Sequence, residues 1–244
     1  MTGFFLLSSI GTASAGQHLV FSTFVDLEGK DPVIDSAERV MVEAYKRMGI
    51  TMETKLFPGE RALQTANAGQ VDGELMRKDG LTKDFPNLIQ ISVPVTMVTF
   101  MVFTKKKDIK IDGWKSLAPY SVAYKRGVKA VEASLTPDTK SEPVATTEQA
   151  FMKLYIGRND MVVTPTTTGL LICKQQGFQD VVMLGPPLLT IPLFHYIHVK
   201  NKDIVDSLTQ TLQQMEKEGI IETINKQIVD EIAAMAFTPK AKSQ

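Results

Sequence analysis

One cysteine, Cys173, is all the chain carries, so an intramolecular disulfide and a cysteine zinc cluster are both excluded. It lies in Leu170-Leu171-Ile172-Cys173 without a His or Asp companion, which reads as a buried, inert thiol. Neither sign of charge is in excess: Lys+Arg and Asp+Glu are both 27, which argues against a general nucleic-acid binder. The local basic run Lys105-Lys106-Lys107 with Lys110 reads as a solvated loop. Asp, Lys or Arg interrupts every apolar run before it is long enough to span a bilayer. There is no G-x-S-x-G elbow, no phosphate-binding loop and no dinucleotide fingerprint, so no cofactor is expected. His195 and His198 have no third metal ligand in view. On a strand their spacing puts them on opposite faces, so no metal site is expected either.

What is present is an apolar content of 43% over 244 residues, enough for one large core or two modest ones. Gly3-Phe4-Phe5-Leu6-Leu7 is apolar and Ala13-Ser14-Ala15 fits a small-x-small cleavage site, although a positive first region is missing. Residues 1–15 are therefore expected to be a truncated signal peptide, with the mature protein outside the cytoplasm.

Two stretches echo each other, Arg61–Met76 (RALQTANAGQVDGELM) and Gln149–Thr164 (QAFMKLYIGRNDMVVT). Ala62 falls over Ala150, Gly69 over Gly157 and Asp72 over Asp160. The unit reads as a helix stopped by Gly, followed at once by a short buried strand. Around it, Leu19–Val25 and Thr51–Phe57 read as strands. A helix is expected to be capped at Asp35-Ser36-Ala37-Glu38, to carry Val40, Met41, Ala44, Tyr45 and Met48, and to end at Gly49. Leu88–Thr104 reads as a short strand, a bend at Pro94 and a crossover strand. Ser121–Tyr124 is a strand leading through Lys125-Arg126-Gly127 into a helix. Val181–Leu184 is another strand, Gly185-Pro186-Pro187 a break, and Leu193–Val199 a return. Two helices close the chain, the first on the stripe Ile204, Leu208, Leu212 and Met215. Leaving near Thr104 and returning near Leu193 implies two discontinuous lobes, a hinge and a cleft. The expected boundaries are 19–103 plus 194–244 for one lobe and 104–193 for the other.

The ordered set of elements resembles the type II periplasmic substrate-binding proteins, in the amino-acid (family 3) branch of receptors for ABC transporters. The residues that carry the resemblance are Ala62–Leu75, Pro86-Asn87-Leu88 leading to Val93-Pro94, and Trp114-Lys115-Ser116-Leu117 before Val122–Gly127. The second echo and Lys217–Glu222 complete it. The resemblance implies an α/β, two-lobed fold, each lobe a mostly parallel sheet flanked by helices, joined by two crossover hinge strands. It also implies a monomeric receptor that binds a small molecule and presents it to a membrane permease, with no cofactor and no nucleic acid. The Arg that commoner receptors use for a ligand carboxylate falls near Phe85, and Thr164-Pro165-Thr166 stands where their acidic residue follows the second-lobe strand. Glu74 and Arg77 look like a divergent subgroup with Glu-x-x-Arg at the cleft, which puts a standard α-amino acid ligand in question.

The candidate ligand-binding residues are Arg77, Glu74, Arg61, Phe57, Tyr124, Arg126, Gly127, Thr164 and Thr166. Arg77 would sit at a strand's C-terminal end, where α/β folds gather ligands, and its fork matches a carboxylate. A structural ion pair with Glu74 or Asp79 is the alternative, and Glu74 could equally face a ligand cation or orient Arg77. Arg61 could be a cleft contact or a solvated first-turn residue, and Phe57 a stacking wall or core. Tyr124, Arg126 and Gly127 lie where a strand enters a helix N-terminus, which favours an anion. Thr164 and Thr166 offer hydroxyls at the equivalent strand end, although a plain turn explains them as well. The expected function is an exported receptor for a small, anionic organic or amino-acid-like solute. A dehydratase resembling cyclohexadienyl dehydratase, with Glu74 as its acid, and a sensor that docks on a membrane kinase are the other two readings.

Overall fold

The computed structural model of the chain describes residues 16–24 and 31–238. The proposed signal peptide and Val25 lie outside them. Within the described residues eight strands and seven α-helices alternate in an α/β order. The first segment runs β1 (His18–Phe24), α1 (Pro32–Arg47), β2 (Thr51–Phe57), α2 (Gly59–Asn67) and β3 (Gly73–Arg77) into β4 (Leu88–Thr104). The second runs β5 (Ser121–Lys125), α3 (Lys129–Ser134), β6 (Lys140–Val144), α4 (Thr147–Tyr155), β7 (Met161–Pro165) and α5 (Thr166–Gln176) into β8 (Val182–His198). Helices α6 (Val205–Lys217) and α7 (Ile220–Ala234) follow.

The cap of helix α1 lies four residues before the expected one. Asp31 accepts from the Val33 N–H at 2.8 Å, and Pro32 occupies the first helical position, where a missing N–H costs nothing. Asp35 is thereby placed inside the first turn, where Arg39 holds it in an i,i+4 pair at 2.9 Å. Val40, Met41, Ala44 and Tyr45 form the buried stripe, as their spacing implies.

The echo has one physical meaning in both copies. Ala62 and Ala150 are fully buried, and Gly69 and Gly157 take left-handed conformations at φ 72° and 75° just past their helices. Each Asp then accepts from the first part of the neighbouring parallel strand: Asp72 Oδ2 from Val20 N–H at 2.8 Å, Asp160 Oδ2 from Ser121 N–H at 2.9 Å. Each also meets a lysine two residues beyond the end of a long strand, Lys200 at 3.1 Å and Lys106 at 2.5 Å. Burial opposes ionisation of Asp160, but Lys106 and the Ser121 N–H and hydroxyl outweigh it and bring its pKa down to about 2.

The strand order is β2-β1-β3-β8-β4-β7-β5-β6. Two parallel trios, β2-β1-β3 and β6-β5-β7, flank the antiparallel pair β8-β4. They are joined in one hydrogen-bonded ladder because β4 and β8, each 17 residues long, run through both halves. β4 is one strand with register shifts around Pro94 rather than two strands. β8 likewise continues past Gly185-Pro186-Pro187, whose residues have no register partner on β4; prolines, lacking an N–H, fit where the ladder is interrupted. β6 was not foreseen. Its sequence, KSEPV, is polar and contains a proline, both of which suit an edge strand and hide it from a search for apolar runs.

One core gathers the α1 stripe, Phe21, Leu75, Val93 and the α6 residues Leu208, Leu212 and Met215. A second gathers Phe103, Phe151, Phe178 and Cys173, and takes in Ile228 and Ile232 of α7. Helix α7 thus packs on both halves: its first turns join the core of α1 and its last turns that of α5, while Arg39 of α1 also holds Glu231 near the end of α7.

Asp160→Asn should lower stability by about 1 kcal/mol at pH 7, since its two backbone-side and lysine contacts favour the charged form while it stays partly solvated. A carboxylate with a depressed pKa stabilises above its ordinary 3.8 and loses that effect toward about 2. Urea titrations of parent and variant should therefore converge across that interval; a gap independent of pH would show that the charge is not what matters.

Candidate functional site

The register places the two sets of parallel strand ends against each other. β3 advances along β8 from Ile197 to Phe194, where Arg77 stands. β7 advances the opposite way, with Pro165 beside Phe100 of β4, itself beside Leu189 of β8. The two C-terminal ends therefore point toward each other across the stretch of β8 from Leu189 to Phe194, about 17 Å of extended chain. Carboxyl ends of parallel strands are where α/β sheets collect ligands, and here two sets meet at one gap.

On the β3 side Glu74, Arg77 and Phe57 lie near one another, with Arg61 on the adjoining helix. Glu74 is fully buried on β3, and its Oε2 accepts from the buried Ser22 hydroxyl of β1. Its Oε1 lies 2.8 Å from Arg77 Nε in an ion pair, and both atoms are buried without a hydrogen bond. Arg77 Nη2 donates to the Gly59 carbonyl at 2.9 Å, and the guanidinium lies 4.4 Å from the Phe24 ring centroid. Phe57 is half-buried beside Phe24 at the ends of β2 and β1, and Arg61 is exposed in the first turn of α2. The ion pair allowed as an alternative for Arg77 is thus formed, and the Arg77 hydrogen bond to Gly59 O ties β3 to the start of α2. Burial raises the Glu74 pKa to about 7 against the opposing pull of Arg77 and Ser22, while burial lowers that of Arg77.

The opposite side is less convergent. Tyr124 is buried in a third core with Val122, Leu117 and Val131. Arg126 is exposed, and its backbone N–H donates to Val144 O at 2.8 Å. The Gly127 N–H donates to the Glu132 carboxylate at 2.8 Å, so a side chain already occupies the donor expected to meet an anion. Thr164 is buried on β7, and Thr166 Oγ1 donates to Thr99 O at 3.0 Å.

A cavity of ≈ 590 Å³ lies between the first turns of α1, the middle of β4, the β7–α5 junction and α7. Of the candidates it takes in Thr166 alone; Glu74 and Arg77 do not line it. Sequence reasoning passed over Ser22, Phe24, Ser36, Thr96 and Asn225. Two carried a readable signal: Ser22 interrupts the apolar strand LVFSTF, and Asn225 interrupts the stripe Ile221, Asn225, Ile228. His195 has a structural role, as expected. Its Nδ1–H donates to Leu75 O at 2.9 Å and its Nε2 accepts from the Tyr45 hydroxyl at 3.0 Å, with burial pushing its pKa down to about 4. Among the described residues no group of three or more His, Cys, Asp or Glu could hold a metal. Burial raises the Cys173 pKa to about 12, so it stays a thiol.

No family model matches the sequence. An uncharacterized protein of Shewanella oneidensis is 28% identical over 202 residues, which is 78% of this chain and 75% of that protein. Among solved structures, the GluR0 ligand-binding core complexed with L-glutamate superposes with a TM-score of 0.69 at 10% identity, over 88% of this chain and 99% of that one. An ancestral cationic amino acid solute-binding protein gives 0.67 at 19%, over 86% and 94%. The substrate-binding protein of an amino acid ABC transporter gives 0.58 at 19%, over 88% and 98%. This chain has the type II periplasmic-binding-protein fold. In that two-lobed fold β4 and β8 are the crossover strands, and the gap between the opposed strand ends is the cleft. Among the described residues no helix is long and apolar enough to cross a membrane.

The Glu74 pKa gives a stability test at this edge of the cleft. A carboxyl whose pKa is raised stabilises the folded state below its ordinary 4.5 and loses that contribution as pH rises through about 7. The stability of Glu74→Gln relative to the parent should therefore improve steadily from pH 4.5 to 7 in matched urea titrations. A constant difference would mean that Glu74 ionises like a surface carboxylate.

Proposed function

We propose that this protein is an extracytoplasmic binding receptor that closes on one small organic anion, or an amino-acid-like solute bearing a carboxylate, without altering it. The observation that carries the reading is the meeting of two parallel strand sets, end to end, across the middle of the crossover strands. The solved structures that superpose on the chain are themselves ligand-binding proteins, one of them from an ABC transporter, which supports delivery to a membrane permease in the periplasm. In this proposal one lobe spans about 19–103 and resumes at 194, and the other spans 104–193, with α7 packed on both. The protein works as a monomer.

Arg77 is the proposed charge contact. Gly59 O and Glu74 take one edge of its guanidinium, which leaves Nη1 and the second hydrogen of Nη2 for a ligand carboxylate. Phe24 and Phe57 would wall the apolar part of the ligand. With its pKa raised to about 7, Glu74 is only partly ionised near neutral pH and offsets only part of the Arg77 charge, which favours an anion over a zwitterion's ammonium. Across the cleft, Arg126 and the Thr164 hydroxyl would answer after closure, as would the Gly127 backbone if Glu132 gives way.

A thermal-shift screen of carboxylates, amino acids and aromatic acids should find a stabilising ligand, and small-angle scattering should then report a more compact particle. With that ligand, Arg77→Ala should weaken binding at least about tenfold by calorimetry, and Arg77→Lys should recover little. Affinity within about a factor of two of the parent would assign Arg77 to the ion pair alone. Release of a chemically changed product would overturn the receptor reading.

A further inference from the structure

The cavity on the α7 side of β4 has a chemistry unlike that of the Arg77 edge. Its walls are apolar: Val33 of α1, Met97 of β4, and Ile221, Ile228 and Val229 of α7. Met97 is about half exposed there, at 49%. At the buried end three polar side chains from three elements converge: Ser36 of α1, Thr96 of β4 and Asn225 of α7. Ser36 and Thr96 are almost wholly buried, at 4% and 3% exposure.

Their hydrogens are already assigned. Thr96 donates to Asn225 Oδ1 at 2.8 Å, Ser36 donates to the same oxygen, and Asn225 Nδ2 donates to Ile221 O at 2.8 Å. A hydroxyl has one proton, so the Ser36 and Thr96 oxygens, 3.2 Å apart, retain only lone pairs. This end of the cavity can accept from a guest and has little to donate. Glu216 and Glu222, both exposed, also line it, and among the described residues neither has a cationic partner. Glu222 stands three residues before Asn225 on α7, so the two share a helix face.

We propose that this cavity is a second binding site, separate from the one assigned to Arg77, for a small organic amine with an apolar body. The ammonium donates to the Ser36 and Thr96 oxygens and is balanced by Glu222; the hydrocarbon lies against Met97, Ile221 and Val229. A volume of ≈ 590 Å³ falls within the range of small-molecule sites. At the Ser36–Thr96 end a carboxylate is disfavoured twice, by the unpaired acids and by the spent donors; the first turns of α1 and α5 on the other walls carry the opposite bias. Because α1 and α7 form one wall and the first turn of α5 another, an occupant also favours the arrangement that keeps those walls together.

Calorimetric titration of the full chain with n-pentylamine, n-pentanol and pentanoate tests this directly. Saturable binding of the amine is expected, about tenfold or more tighter than the alcohol, with none of the carboxylate. Val229→Trp, which fills the cavity, should abolish amine binding. Should that variant fail to fold, the exposed substitution Glu222→Gln provides the second reading, with about tenfold weaker amine binding. Arg77→Ala should leave amine affinity unchanged, so loss of the Arg77 reading and loss of this one are separable. Equal affinity for amine, alcohol and carboxylate would overturn the proposal. So would amine affinity indifferent to both cavity variants, or no saturable amine binding below roughly 10 mM.

Discussion

The pairing of β4 with β8 along nearly their whole length sets the direction of everything attached to them. Both are antiparallel neighbours, so the strand that pairs with the outer edge of β8 and the strand that pairs with the outer edge of β4 run in opposite senses. Each parallel trio inherits that sense from its own edge, β3 or β7. Two similar α/β units, each gathering its strand ends on one side, are thereby turned face to face. A parallel pairing of the crossovers would send the two sets of ends the same way and leave no shared gap. The Asp of each echo unit reinforces this geometry, since it ties its strand to the parallel neighbour and meets a lysine just beyond a crossover.

The polar groups around the gap follow from the same arrangement. Glu74, fully buried near the start of β3, pairs with Arg77 at the last residue of that strand, where desolvation is severe enough to raise one pKa and lower the other. Ser22, Gly59 O and the Phe24 face share the cost of holding the pair there. On the other side of β4, Ser36, Thr96 and Asn225 satisfy one another and link α1, the crossover and α7. His195 contributes a titration opposite in sign to that of Glu74. Its depressed pKa stabilises the folded state above 6.5 and is lost toward about 4, whereas Glu74 costs stability as pH rises to about 7.

Much of the fold was legible from residues. Thr51–Phe57 forms a strand with those bounds, and Leu88–Thr104 is extended throughout although Pro94 does not divide it, because β-rich runs between turn signals have few alternatives. Gly69 and Gly157 stop helices as a residue free to take positive φ should. The misreadings have local causes. Asp35-Ser36-Ala37-Glu38 looks like a capping box, but Asp31-Pro32 upstream supplies a cap and a first-turn proline, so the helix starts earlier. β6 is polar because it is an edge. At the site, the register of β3 placed Glu74 and Arg77 together, as their i,i+3 spacing allowed. The Gly127 N–H, by contrast, is taken by Glu132, and nothing in the order Gly127 to Glu132 announced that contact.

By itself the sequence determined the local conformations and their repetition: where each helix stops, which runs extend, and that a helix-Gly-x-x-Asp unit occurs twice. Such features depend on backbone sterics and on burial patterns within about ten residues, and those are written in the chain. Only the tertiary structure decided which of the polar side chains meet. Ser22 reaches Glu74 across 52 positions, and Ser36 and Thr96 reach Asn225 across 189 and 129. Contacts of that separation are fixed by strand register and helix packing, where a shift of one residue turns a side chain to the other face. The apolar cavity bounded by α1, β4, α5 and α7 is the sum of four such placements, and no stretch of sequence contains it.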